Sequence, residues 1–228
     1  MQRKIAFALL LCAFTAHAQQ PVVTVPEPKP NLGQLKIQLI HYHDCAESTC
    51  YVPQLEQQAD KAIRILQQRV ARAKPGEKLA LVFDIDETAL SNWTEERQDD
   101  FGYIARDWDS WVKQRAATPI HATLRIYREA RKSNVAVFFI TGRPENERED
   151  TEANLKSAGY ASWVHLSMRA DHHPPGETTT AYKSGERARI AAQGYAIILN
   201  VGDQYSDLNG SPQAENSVKL PNPFYFIP

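Results

Sequence analysis

Sulfur is scarce in this 228-residue sequence, which has three cysteines and two methionines. One cysteine, Cys12, lies in the first apolar stretch, so only Cys45 and Cys50 remain to form a single bridge. Charge of one sign is scarce too. The 26 basic and 27 acidic side chains leave a net charge of −1, and removing residues 1–18 (Arg3, Lys4, no acid) makes it −3. That balance gives no electrostatic basis for binding a nucleic-acid polymer or an anionic membrane. No apolar run is long enough to cross a bilayer, because a spanning helix needs about 20 such residues. No internal repeat appears, and no heptads from which an oligomeric state can be read.

The one apolar stretch near the start has the marks of a secretory signal over residues 1–18. Arg3 and Lys4 are followed by the run Ile5 to Phe14 and by Ala16-His17-Ala18, with cleavage expected after Ala18. Cys12 sits inside that run behind three leucines, without the small residue that lipidation wants before it, so a lipid anchor is not expected. Export to the periplasm or beyond makes a Cys45–Cys50 disulfide the default. Its small loop contributes roughly 2 kcal/mol. Zinc held with His41 and His43 is the alternative, but the four ligands are too crowded for the usual spacings.

About 210 residues remain, suited to one α/β domain with an insertion. Residues 19–75 read as a proline-rich leader followed by a helical extension. A short helix falls near 34–43, and a long amphipathic one runs from Pro53 to Ala73, with Leu55, Ala59, Ala62, Ile63, Leu66 and Val70 at helical spacing. Lys74-Pro75-Gly76 ends it. From residue 76 to 228 strands and helices alternate. Strands are expected near 78–84, 135–141, 162–167, 195–201 and 217–220, and helices near 119–133, 145–158 and 181–193. This alternation implies a parallel, right-handed, three-layer α/β/α architecture.

Three of those strands end in chemistry. The run Leu79 to Phe83 delivers Asp84-Ile85-Asp86-Glu87-Thr88, Val135 to Ile140 delivers Thr141-Gly142-Arg143, and Ala196 to Val201 delivers Gly202-Asp203-Gln204-Tyr205-Ser206-Asp207. Alternation along a strand starts Asp84 and Asp86 on the same side. Paired carboxylates repel unless a cation or shared proton relieves them, and Mg²⁺ with oxygen ligands is the natural relief. In open parallel sheets, sites form beyond the carboxyl ends of the strands. Asp-x-Asp alone reads equally as two solvated loop acids, but three such ends point to one crevice.

This ordered set resembles the haloacid dehalogenase (HAD) superfamily of phosphohydrolases. More narrowly it is similar to the secreted acid phosphatases of that superfamily, a group that includes bacterial periplasmic enzymes and plant vegetative storage proteins. The match runs from about Lys78 to the C-terminus, including Tyr182-Lys183-Ser184 and Pro221-Asn222-Pro223-Phe224-Tyr225. The resemblance implies a Rossmann-like sheet with a small cap after the first catalytic strand. It implies a nucleophile at Asp84, a general acid and base at Asp86, phosphate contacts from Thr141, Gly142 and Lys183, and one Mg²⁺. The metal ligands would be Asp84, the Asp86 carbonyl, Asp203 directly and Asp207 through water or from behind the ligands. The implied activity is hydrolysis of small phosphate monoesters through an aspartyl-phosphate. Transfer to an alcohol through the same intermediate, and a non-catalytic storage role, are the alternatives.

Other residues are read from the sequence alone. The thirty-residue insertion, about 89–118, holds Trp93, Phe101, Tyr103, Trp108 and Trp111. Trp108 and Trp111 are expected along one helical face in a small core, and Trp93, Phe101 and Tyr103 in a lid. Base stacking on such rings suggests nucleoside monophosphates as substrates. Arg143 and Arg187 are either extra cations for phosphate or members of surface ion pairs, and His172-His173 are expected outside the site.

Overall fold

The computed structural model describes residues 29–227. The expected signal segment and cleavage site, Cys12 and most of the expected proline-rich leader lie outside the described residues. Helix α1 (Leu32–Asp44) buries no residue fully; Leu39 and Tyr42 are the side chains it turns toward the core. A disulfide joins Cys45 to Cys50 across a Cα separation of 5.7 Å, and α2 (Tyr51–Val70) starts at once from Cys50. The helix thus begins two residues before Pro53. A first-turn proline loses no hydrogen bond, since the N–H groups there have no intrahelical acceptor. Leu55, Ala59, Ala62 and Leu66 form the buried stripe of α2.

Strand β1 (Lys78–Phe83) is followed by β2 (Leu90–Ser91), α3 (Trp93–Gln98), α4 (Ala105–Gln114) and β3 (Thr118–Pro119). The short β2 and β3 pair antiparallel and close the base of the inserted α3–α4 segment. Next come α5 (His121–Lys132), β4 (Ala136–Pro144), a single 3₁₀ turn (Glu145–Glu147), α6 (Arg148–Ser157) and β5 (His165–Arg169). The chain finishes with α7 (Thr179–Ala192), β6 (Tyr195–Gly202), α8 (Tyr205–Leu208) and β7 (Ser217–Lys219). Five strands form one sheet in the order β5-β4-β1-β6-β7, with every pairing parallel.

Alternation along the buried strands divides the sheet between two cores. Leu79, Leu81 and Phe83 of β1, with Val137 and Phe139 of β4, meet α2, α5 and α6 on one face. Ala80, Val82, Phe138 and Ile140 meet Ile190 of α7 on the other. Both faces are covered, which is why these strands read as near-continuous apolar runs. The strand expected at 162–167, β5, starts three residues late. The Tyr127 hydroxyl donates to the Ser162 carbonyl and accepts from the Ser162 N–H, both at 2.9 Å, and so holds residue 162 in a loop.

Register decides what meets at the carboxyl edge. Phe83 stands opposite Phe139 in β4 and Val201 in β6. Asp84, Thr141 and Asp203 therefore leave neighbouring strands within two residues of one level. Since α2 seals one face of this sheet, Leu66→Ala is expected to lower the unfolding free energy by about 2–5 kcal/mol in urea titrations. Val52→Ala, on the exposed side of the same helix, should change it by less than ~0.5 kcal/mol. Equal losses from the two would show that α2 is not part of the core.

Candidate functional site

Asp84 emerges from β1 with its N–H bonded to the Val201 carbonyl at 3.0 Å, and its side chain is buried. The ammonium of Lys183, carried on the first turns of α7, donates to Asp84 Oδ1 at 2.6 Å and to Asp207 Oδ1 at 2.5 Å. Asp207 lies in the single turn α8, where its Oδ2 accepts from the Gln204 N–H at 2.8 Å. Gly202 permits that turn: a Cβ there would sit 2.5 Å from Asp207 Cβ. Asp203, between them, accepts from Thr88 Oγ1, Gln204 Nε2 and Asn222 Nδ2 at 2.7–3.1 Å.

Carboxylate oxygens of Asp84, Asp203 and Asp207 come within 4.8 Å of one another, and all three residues are buried. Burial pushes the Asp84 carboxyl well above its ordinary range, against the pull of Lys183. Burial and the Asp207 charge bring Asp203 up to about 7. Burial opposes the charge on Lys183 as well, but Asp207 and Asp84 outweigh it and hold the ammonium protonated. One cation among three buried carboxylates leaves net negative charge. An oxygen-only donor set with that surplus suits a hard divalent ion, so these residues fit the metal that the resemblance implies.

The Asp86 side chain turns elsewhere. Arg143 Nη2 donates to its Oδ1 at 2.7 Å, Arg143 Nε lies 3.1 Å from both oxygens, and Asn92 Nδ2 donates at 2.9 Å. Burial would raise Asp86, but the guanidinium charge and these bonds outweigh it and lower its pKa overall. Arg143 is itself buried, donates to Thr151 Oγ1 at 3.1 Å and lies 5.2 Å from the centre of the Trp108 ring. It is therefore no surface ion pair.

The phosphate contacts expected from β4 differ in exposure. Gly142 is exposed at the cavity wall. Thr141 is fully buried, with its Oγ1 accepting from the Arg143 N–H at 3.1 Å. Arg187 fits neither reading made from sequence. It is buried and donates to the carbonyls of Asp207 at 2.6 Å, Pro212 at 3.0 Å and Asn209, which fixes the loop after α8. His172 and His173 are exposed and do not line the cavity.

A cavity of about 570 Å³ opens above the carboxylates. Phe101, Tyr103 and Trp108 line it, whereas Trp93 and Trp111 do not. Trp108 and Trp93 thus exchange their expected roles. Trp93 stacks on His43 of α1 at 3.7 Å between ring centres and 8° between planes, and packs on Phe224 at 4.9 Å. Trp111 packs against the core and donates to Asn92 Oδ1 at 2.8 Å. Helical spacing placed Trp108 and Trp111 on one face without showing that Trp108 leans over Arg143.

Asn92 carries no sequence signal of its own, and Tyr225 belongs to the C-terminal stretch of the resemblance, which assigns it no role. Asn92 bonds Asp86 and also Glu87, through its N–H at 2.6 Å and its side-chain amide at 3.1 Å. The Tyr225 hydroxyl donates to Glu87 Oε2 at 3.2 Å. Glu87 lay inside a motif already singled out, with a left-handed backbone at φ 50. The others come from distant segments that only the fold assembles.

Comparison with known proteins gives a consistent result. A family model described as HAD superfamily, subfamily IIIB (acid phosphatase), matches residues 33–228. Acid phosphatase 1 of Solanum lycopersicum is 41% identical over 150 residues, covering 64% of this chain and 58% of that protein. Vegetative storage protein 1 of Arabidopsis thaliana is 32% identical over 156 residues, covering 64% and 55%. The aligned region thus spans little more than half of either plant protein. The Class C acid phosphatase from Bacillus anthracis shares the fold, with a TM-score of 0.68 at 21% identity over 86% of each chain. With a family model spanning nearly all of the described residues, the chain belongs to the HAD superfamily, subfamily IIIB, the acid phosphatases.

Proposed function

We propose that this protein is an exported, Mg²⁺-dependent acid phosphatase that hydrolyses small phosphate monoesters through an aspartyl-phosphate on Asp84. The observation that carries this reading is the buried convergence of Asp84, Asp203 and Asp207 around the Lys183 ammonium. Monoester dianions repel nucleophiles, so catalysis needs positive charge and an in-line attacker. An Asp84 oxygen attacks phosphorus, the ester P–O bond breaks, and the departing alkoxide takes a proton from Asp86. Water then attacks phosphorus, Asp86 accepts its proton, and cleavage of the P–O bond to Asp84 releases inorganic phosphate. Lys183 screens Asp84 from the incoming dianion, and the exposed Gly142 backbone and Thr141 are assigned to the phosphoryl oxygens.

Asp84, Asp203, Asp207 and the Asp86 carbonyl are the groups proposed to hold Mg²⁺, whose charge would neutralise phosphoryl oxygens. The rings of Phe101, Tyr103 and Trp108 support flat leaving groups, with nucleoside monophosphates as the proposed class. A Cys45–Cys50 disulfide supports an oxidising compartment, in the periplasm or outside the cell.

Three outcomes are expected. Asp84→Asn should lower kcat for p-nitrophenyl phosphate by roughly 10⁴-fold or more with circular dichroism unchanged; substantial turnover would rule out the covalent route. A chelator should abolish hydrolysis, and Mg²⁺ should restore it while raising the thermal midpoint with its concentration. The third concerns pH. Arg143 keeps Asp86 ionised to low pH, so protonated Asp86 is available only in acid. Replacing the guanidinium in Arg143→Gln raises the Asp86 pKa, because burial then acts with less opposition. The alkaline limb of kcat/KM should move up by about one pH unit or more; an unmoved limb would remove Asp86 from that role.

A further inference from the structure

The cavity carries carboxyl groups that the phosphoryl chemistry does not use. Helix α3 presents Glu95 and Glu96 to it, only 6% and 8% exposed. Glu95 Oε1 and Glu96 Oε2 have no hydrogen-bond partner, while Glu96 also meets the Glu87 carboxyl. Glu147 lines the same cavity with one oxygen on Trp108 Nε1 and the other, Oε2, unpartnered. The cations lining it are already engaged: Lys183 with Asp84 and Asp207, Arg143 with Asp86, and Arg169 with Glu177.

Buried acceptors without donors are costly, and the strain shows in their protonation. Burial, then the charges of Asp99 and Asp107, raises Glu95 to about 7; burial, then Glu95, raises Glu96 to about 8. These acids do not converge as metal ligands do. Among the described residues the only carboxylate trio with close oxygens is Asp84, Asp203 and Asp207. Dispersed acceptors beside aromatic rings suit an organic cation instead: an ammonium donates three hydrogens in different directions and is drawn to ring faces.

We propose that Glu95 and Glu96 form a leaving-group subsite selecting phosphate monoesters of amino alcohols, the ammonium lying against them while the phosphoryl group sits at Asp84. The assignment rests on the phosphatase reading above and puts amino-alcohol esters in place of nucleoside monophosphates as its substrate class, because they also supply a cation to the glutamates. Such a zwitterionic ester matches both ends of the cavity, cation to the glutamates and dianion to Lys183 and the metal. A neutral alkyl ester of the same length leaves the glutamates unpartnered.

The test compares kcat/KM at pH 7 for 2-aminoethyl against propyl phosphate, and for 4-aminobutyl against pentyl phosphate, with p-nitrophenyl phosphate as a reference. The wild type should prefer at least one amino ester over its neutral partner by tenfold or more. Glu95→Gln and Glu96→Gln should each shrink that ratio at least threefold, and the double variant should bring it near one. In the wild type, butylammonium should inhibit p-nitrophenyl phosphate hydrolysis competitively and far better than butanol, a measurement that needs no variant to fold. Ratios near one in the wild type, ratios untouched in the double variant, or equal inhibition by butanol would each overturn the subsite. Those results alongside p-nitrophenyl phosphate turnover leave the phosphatase reading intact, whereas no turnover of any ester overturns both.

Discussion

A single ammonium group organises the catalytic end of this molecule. Lys183 reaches from α7 across to β1 and α8, bonding Asp84 and Asp207 at once. Three buried carboxylates at such short range would expel one another without it. A buried charge that loses its partner is strongly destabilising, so the lysine and the acids must be considered together. The same arrangement leaves the group one or two positive charges short, which is what suits it to the divalent ion and phosphoryl dianion proposed to bind there. Structural need and chemical capacity here have one origin, low dielectric with incomplete compensation.

Around that centre, segments far apart in sequence act as braces. His43 of α1 stacks on Trp93 of the insertion, and Trp93 packs on Phe224 near the C-terminus. From the same terminal segment Asn222 donates to Asp203 and Tyr225 to Glu87. The Cys45–Cys50 bridge lies between α1 and α2, beside this aromatic stack. The helical extension, the cap and the last residues therefore share one task, fixing the direction of side chains that leave β1 and β6. Precision at a site of this kind depends on such support as much as on the reacting groups.

Asp86 shows how the same burial produces opposite results within one motif. Two residues from Asp84, it faces a guanidinium and an amide rather than other carboxylates. Its pKa falls while that of Asp84 rises. The difference is one of partners: Asp84 lies among carboxylates that Lys183 alone offsets, a deficit a divalent ion would relieve, whereas Asp86 already has the Arg143 cation beside it. The alternation that starts both aspartates on one side of β1 does not by itself make them equivalent.

Much of this was determined by local sequence. Apolar runs fully covered on both faces, each broken by a short polar motif, dictated a parallel sheet and the strand ends where chemistry collects, because periodicity and turn residues act over a few positions. The order of Asp84, Thr141, Lys183 and Asp203 along the chain was enough for the family resemblance. Tertiary structure decided the rest. It buried Thr141 behind the Arg143 N–H, tied Arg187 to three carbonyls, exchanged Trp93 and Trp108, and brought Asn92, Tyr225 and Asn222 to the carboxylates. Those outcomes depend on which side chains from remote segments arrive to satisfy a buried donor or charge, and no pattern along a single strand or helix encodes that pairing.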